Sequence, residues 1–177
     1  ERFDGILVVD EAYIDFADQP SLLNDLAAHP NLIVLHTLSK AWGMAGLRLG
    51  LAFASAEVME LFARVKYPYN INVTGMAAAT DILANGVDEQ VAEIVAQRQR
   101  VMAELSEAEC VKRVFPSEAN FVLARVSDAR RLYNALIDEG VIVRDRSSVK
   151  GCDECLRITI GTPEENDKML EIVKRFK

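Results

Sequence analysis

Lys40 ends the run Thr37-Leu38-Ser39-Lys40, and Arg48 follows eight residues later. A lysine amine held at a fixed point and partly desolvated is a nucleophile for a carbonyl group. The hydroxyls of Thr37 and Ser39 and the guanidinium of Arg48 are donors for a phosphate, Arg48 through a charge-assisted bond. Gly43, Gly46 and Gly50 permit close backbone approach in the same stretch. Such a set suits a carbonyl compound that also carries a phosphate. An isolated Ser-Lys pair is more often an exposed lysine after a strand.

Asp10 ends the apolar run Ile6-Leu7-Val8-Val9, and Tyr13 follows it. An amine, phosphate donors and an acid for a ring nitrogen are the groups that pyridoxal phosphate (PLP) requires. Tyr13 could reach the ring hydroxyl from the same loop. The plainer alternative for Asp10 is a strand-end residue that caps the next segment. Ile6 to Ala12 also reads as the acidic strand end of a P-loop ATPase. That reading needs a G-x-x-x-x-G-K-[ST] loop, which does not occur in this chain.

These residues need elements to position them. The spacing predicts strands over 6–9, 32–35 and 47–54, with a helix over 21–29. Strand, helix and strand within about 30 residues form the footprint of a βαβ unit. Ligands bind beyond the carboxyl ends of strands in such sheets, so Asp10 and Lys40 are expected on one rim. Residues 56–66 and the Ala-rich 73–84 read as helices, the second one closely packed, and 88–107 as a longer helix with a charged face. Beyond it, 111–115, 121–126, 141–144 and 156–160 read as strands, and 128–139 and 163–175 as helices. Pro163 suits a first helical turn and Thr162 its cap. The fold class expected is α/β: part of a large αβα sheet domain over 1–86, then a small α+β domain with its linking helix over 87–177.

Composition bounds the partners. The 177 residues are 50% hydrophobic and 27% charged, enough for a real core. A net charge of −7 opposes nucleic acid and anionic lipid. No apolar run reaches the roughly 20 residues of a membrane span. Three cysteines in a chain of this length suit a reducing compartment, the cytoplasm. Cys152-Asp153-Glu154-Cys155 is a lone C-x-x-C without a second ligand pair, so no metal site is expected. Trp42 reads equally as a pocket wall or a packing aromatic. The opening Glu1-Arg2-Phe3-Asp4 lacks the features of a signal peptide and reads as a chain beginning mid-protein.

Val9 to Phe16 (VDEAYIDF) and Thr37 to Gly50 (TLSKAWGMAGLRLG) together resemble histidinol-phosphate aminotransferases, of the fold-type I PLP-dependent class. Pro68 to Asn72, Ser117 to Phe121, Val143 to Arg146 and Leu156 to Gly161 fit the same pattern in order. The resemblance covers the carboxy-terminal half of such a protein. It implies that Lys40 carries PLP and moves the proton at the substrate α-carbon. Asp10 would pair with the ring nitrogen and Tyr13 with the ring hydroxyl, while Thr37, Ser39 and Arg48 would hold the phosphate. Arg157 would clamp the substrate α-carboxylate with its planar fork. Arg144 would face the substrate phosphate, and Asn120 would be a turn residue near the site.

The reaction implied is transamination between L-histidinol phosphate and 2-oxoglutarate, in histidine biosynthesis. The substrates would be a small amino-acid phosphate and a 2-oxo acid, and the full-length protein a homodimer. Related members act on aromatic amino acids, and a sister group decarboxylates threonine phosphate. Without its first half the sheet would expose apolar faces and open edges, so this chain alone is expected to bind PLP poorly and not to turn over. A non-catalytic isolated domain is the reading outside the enzyme class.

Overall fold

The structure is a computed structural model and describes residues 3–177. Glu1 and Arg2, part of the opening read above as mid-protein, lie outside the described residues. The chain divides into two compact units, residues 1–88 and 89–177.

The first unit holds a three-stranded sheet of β1 (Leu7–Asp10), β2 (Leu32–Thr37) and β3 (Gly50–Phe53), in that order. β1 runs parallel to β2, with Leu7 beside Leu32 and Asp10 beside Leu35. β3 returns antiparallel, with Gly50 beside Thr37. Leu32, Ile33 and Val34 are buried, whereas Ile6, Leu7 and Val8 on the edge are each at least half exposed. The edge strand therefore carries the open apolar surface expected from the sequence.

The helix expected over 21–29 does not form. A 3-10 turn at Leu22–Asp25 stands there, capped by the Ser21 side chain, which accepts from Leu23 N. Asn24 Nδ2 donates to Ser21 O, so local side-chain bonds compete with the helix. Too few residues remain before Pro30 to repay nucleation. The link from β1 to β2 is thus a parallel crossover made of turns. The third strand is also shorter than expected, because Ala45–Leu47 form a 3-10 turn and Arg48 takes a left-handed backbone at φ 56°.

Helices α1 (Ala56–Val65) and α2 (Val73–Asn85) follow. Asn72 caps α2 by accepting from Gly75 N at 2.6 Å. Only Gly75 and Ala79 of α2 are buried, so most of this Ala-rich helix is exposed rather than closely packed.

The long helix α3 (Asp88–Ser106) belongs to the second unit from Glu89 onward. Its sheet has the order β4 (Val111–Val114), β5 (Phe121–Val126), β7 (Cys155–Thr159), β6 (Arg144–Asp145), all antiparallel. Along β5, Val122, Ala124 and Val126 are buried and the alternate residues are not, the period of a half-buried strand. These three pack with Val101, Leu105, Leu132, Leu136, Leu170 and Val173 from α3, α4 (Ala129–Asp138) and α5 (Pro163–Arg175). Helices cover one face, and the face of Phe121, Leu123 and Arg125 is the other.

α5 starts as the sequence requires. Thr162 caps it, Pro163 takes the first turn, and Glu165 completes a capping box. The strand expected over 141–144 shrinks to Arg144–Asp145. Residues 140 and 141 instead end α4: Gly140 takes φ 77°, and Val141 N donates to Leu136 O at 2.8 Å.

Candidate active site

Asp10 is the last residue of β1, and its backbone lies beside Leu35 of β2. Its side chain is exposed, and Oδ1 accepts from Ala12 N at 3.0 Å. This local bond holds the carboxylate at the strand end. The next residue, Glu11, continues the ladder by donating its N–H to Leu35 O at 2.8 Å. Tyr13 then precedes a 3-10 turn at Ile14–Phe16 that is pinned by buried Phe16.

Beyond β2, Leu38 and Met44 are buried together with Ala79, and Trp42, Leu47 and Leu49 pack against them. Trp42 thus packs on this cluster while remaining half-buried. Met44 N donates to Leu38 O at 2.9 Å, and Gly43 N to Lys40 O at 3.1 Å. Gly43 needs its positive φ of 64° to close this turn. Lys40 thus projects from a loop whose two ends are anchored in apolar side chains. Its Nζ stands 5.3 Å from the centroid of the Tyr13 ring.

Thr37 Oγ1 accepts from Ser39 N at 3.1 Å, which fixes both hydroxyl-bearing residues in one turn. Arg48 is exposed and its Nη1 donates to Ala45 O at 3.1 Å. The chain from Arg48 reaches Gly50, the pairing partner of Thr37. Asp10, Tyr13, Thr37, Ser39, Lys40 and Arg48 therefore all belong to loops or strand ends of the first unit.

The other three candidates belong to the second unit. Arg144 and Arg157 are partners on adjacent strands. The Arg157 guanidinium lies 5.0 Å from the centroid of the Phe121 ring, and its Nε is buried without a hydrogen-bond partner among the described residues. Asn120 accepts from Ile160 N through its backbone carbonyl at 2.9 Å, which ties the start of β5 to the end of β7.

Sequence reasoning gave no role to Glu11, Asp15 or His36. Glu11 is buried and accepts from Ser21 Oγ at 2.6 Å and Leu22 N at 2.8 Å. His36 Nε2 and Asp15 Oδ2 lie 3.0 Å apart. The only sequence signal was the density of charge in Asp10-Glu11-Ala12-Tyr13-Ile14-Asp15 beside apolar runs. Among the described residues no His, Cys, Asp or Glu cluster suits a metal ion. No helix of the described residues is long and apolar enough to cross a membrane. An open groove lined by Leu7, Leu22, His29 and Leu32 lies at the opposite end of the strands from Asp10.

A lysine beside an aromatic ring, with hydroxyl and guanidinium donors in the next turns and a carboxylate at the neighbouring strand end, is a donor set that fits a phosphorylated pyridine aldehyde. The family comparison is decisive. Residues 1–173 match the family model for aminotransferase class I and II. The chain belongs to this family. A histidinol-phosphate aminotransferase of Parabacteroides distasonis is 49% identical over 179 aligned positions, covering 100% of this chain and 52% of the relative. The crystal structure of the histidinol-phosphate aminotransferase from Clostridium acetobutylicum superposes with a TM-score of 0.86 at 29% identity, covering 96% of this chain and 53% of that one. The Sinorhizobium meliloti histidinol-phosphate aminotransferase, determined in complex with pyridoxal-5'-phosphate, gives 0.83 at 28% identity, covering 96% and 48%. The chain spans about half the length of the curated relatives it matches.

Proposed function

We propose that this aminotransferase chain is the carboxy-terminal half of a PLP-dependent histidinol-phosphate transaminase. In this reading the first unit is part of the cofactor domain and the second is the small domain. The observation that carries it is Lys40, held by anchored turns over Tyr13 in the same sheet unit as Asp10. Family membership and the relative determined with pyridoxal-5'-phosphate support the cofactor. The P. distasonis relative supports the amino donor.

When bound, PLP supplies a ring that withdraws electrons from the substrate α-carbon. Lys40 would hold it through its amine and, once the incoming substrate amine has released that amine, would take and return the proton at the substrate α-carbon. Asp10 would hold a proton on the ring nitrogen. Tyr13 would donate its hydroxyl to the ring oxygen. Thr37, Ser39 and Arg48 would bind the phosphate, Arg48 by charge. Arg157 would bind the α-carboxylate of 2-oxoglutarate, for which its Nε, without a hydrogen-bond partner among the described residues, is a donor. Arg144 binds the substrate phosphate, and Asn120 supports the turn beside them. The amino group passes from L-histidinol phosphate to 2-oxoglutarate. The full-length protein works as a cytoplasmic homodimer in histidine biosynthesis. This half alone does not turn over, a reading supported by the open edge of β1.

The test is to add PLP, reduce with borohydride and map the adduct by mass spectrometry, in this chain and in the full-length protein, with Lys40→Ala as control. A single adduct on Lys40 of the full-length protein is expected. Its absence there removes the cofactor reading. Turnover with histidinol phosphate, aromatic amino acids and threonine phosphate then separates the proposed donor from its rivals.

A further inference from the structure

The segment that carries Tyr13 is held on both sides by groups outside the set above. On one side, buried Glu11 is fixed by Ser21 Oγ and Leu22 N. On the other, Phe16 is 1% exposed, and its N–H donates to Tyr13 O at 3.0 Å. Between Tyr13 and Phe16, Asp15 reaches across to His36 at 3.0 Å, and their side chains are only 21% and 12% exposed.

His36 belongs to β2, one residue before Thr37 and four before Lys40. Strand alternation turns its side chain to the opposite face from Leu35 and Thr37. One bond therefore joins the strand that delivers Lys40 to the turn that delivers Tyr13. Fully exposed pairs of this kind contribute little. This one is mostly withdrawn from water, and it spans 21 residues of chain to join two segments that meet again where Lys40 lies over Tyr13.

We propose that His36, acting through Asp15, is a positioning residue that sets Tyr13 against Lys40. It rests on the reading of Lys40 and Tyr13 as cofactor residues. His36 itself touches neither; it fixes the turn, and the turn fixes the ring.

The test measures the reductive methylation rate of Lys40 without cofactor, relative to Lys66 and Lys150 in the same chain, by peptide mass spectrometry. In His36→Leu the relative rate at Lys40 rises about two- to five-fold, the factor that corresponds to the hold of a ring face on an exposed ammonium. His36→Gln keeps a donor for Asp15 and restores the original ratio. An unchanged ratio in His36→Leu, or no restoration by His36→Gln, overturns the proposal. If His36→Leu loses its cooperative melting transition, Asp15→Ala is compared instead, with the same rise expected. PLP trapping on the unaltered full-length protein separates the two readings. No adduct on Lys40 overturns the cofactor role and this proposal with it, whereas an adduct with an unmoved methylation ratio overturns the positioning alone.

Discussion

Arg144 and Arg157 stand directly opposite each other on antiparallel strands β6 and β7. Like charges in that relation cost stability, and Arg157 packs on the Phe121 ring with no acceptor for its Nε among the described residues. An anion between them removes the cost. Arg144→Gln is expected to stabilise the chain by about 0.5 kcal/mol at low salt, with the gain shrinking as salt rises. It also weakens the stabilisation conferred by added inorganic phosphate. Urea titrations with and without phosphate measure both, and an unchanged phosphate response would refute an anion site at Arg144.

Lys40→Arg keeps the charge but removes an amine able to bond to a carbonyl carbon. In the full-length protein it lowers kcat by roughly 10²- to 10⁴-fold, the range for one positioned acid–base group. Single-turnover kinetics against Lys40→Ala check this; near-normal turnover in either variant would remove Lys40 from the mechanism.

The three thiols differ in reach. Burial pushes the Cys110 thiol up, and its Sγ donates to Val173 O at 3.4 Å. Cys155 is fully buried, whereas Cys152 is half-buried in a turn. A thiol reagent at neutral pH therefore modifies Cys152 first and Cys110 only on unfolding. Fast labelling of Cys110 in the native chain would contradict the packing of α5 on the second sheet.

Thr162 closes the capping box of α5. Thr162→Ala lowers the stability of the second unit by about 1 kcal/mol. Urea midpoints at constant slope provide the measure. No change would mean that α5 is held by Met169, Leu170, Ile172 and Val173 without help from its cap.

Glu104 gives a pH dependence. Its bond to Lys174, and then its contact with Arg100, hold its carboxyl below the ordinary range. A folded value below the unfolded one stabilises above the unfolded value, and the gain is lost as pH falls through the folded value. Acid therefore weakens the second unit in that window. Lys174 is 45% exposed, so the pair contributes less than about 1 kcal/mol. Lys174→Met flattens stability against pH between about 5 and 3; an unaltered slope there would count against the pairing.

Elements whose local code and period agree were readable along the chain. β5 alternates over Phe121–Val126, and α5 carries Thr162, Pro163 and Glu165 at its start. The candidate residues were legible for a related reason: lysine, arginine and aspartate at strand ends after apolar runs are visible as types and spacings. What local code leaves open was resolved by the packed fold. It replaced the helix at 21–29 with a turn, because Ser21 and Asn24 satisfy the backbone locally. It shortened the strand at 141–144, because Gly140 and Val141 are spent ending α4. It also showed the pairs that no spacing encodes. Asp15 meets His36 across 21 residues, and Arg144 meets Arg157 through strand register. Such contacts depend on where strands lie side by side, and that follows from burial of the whole sheet rather than from any one segment.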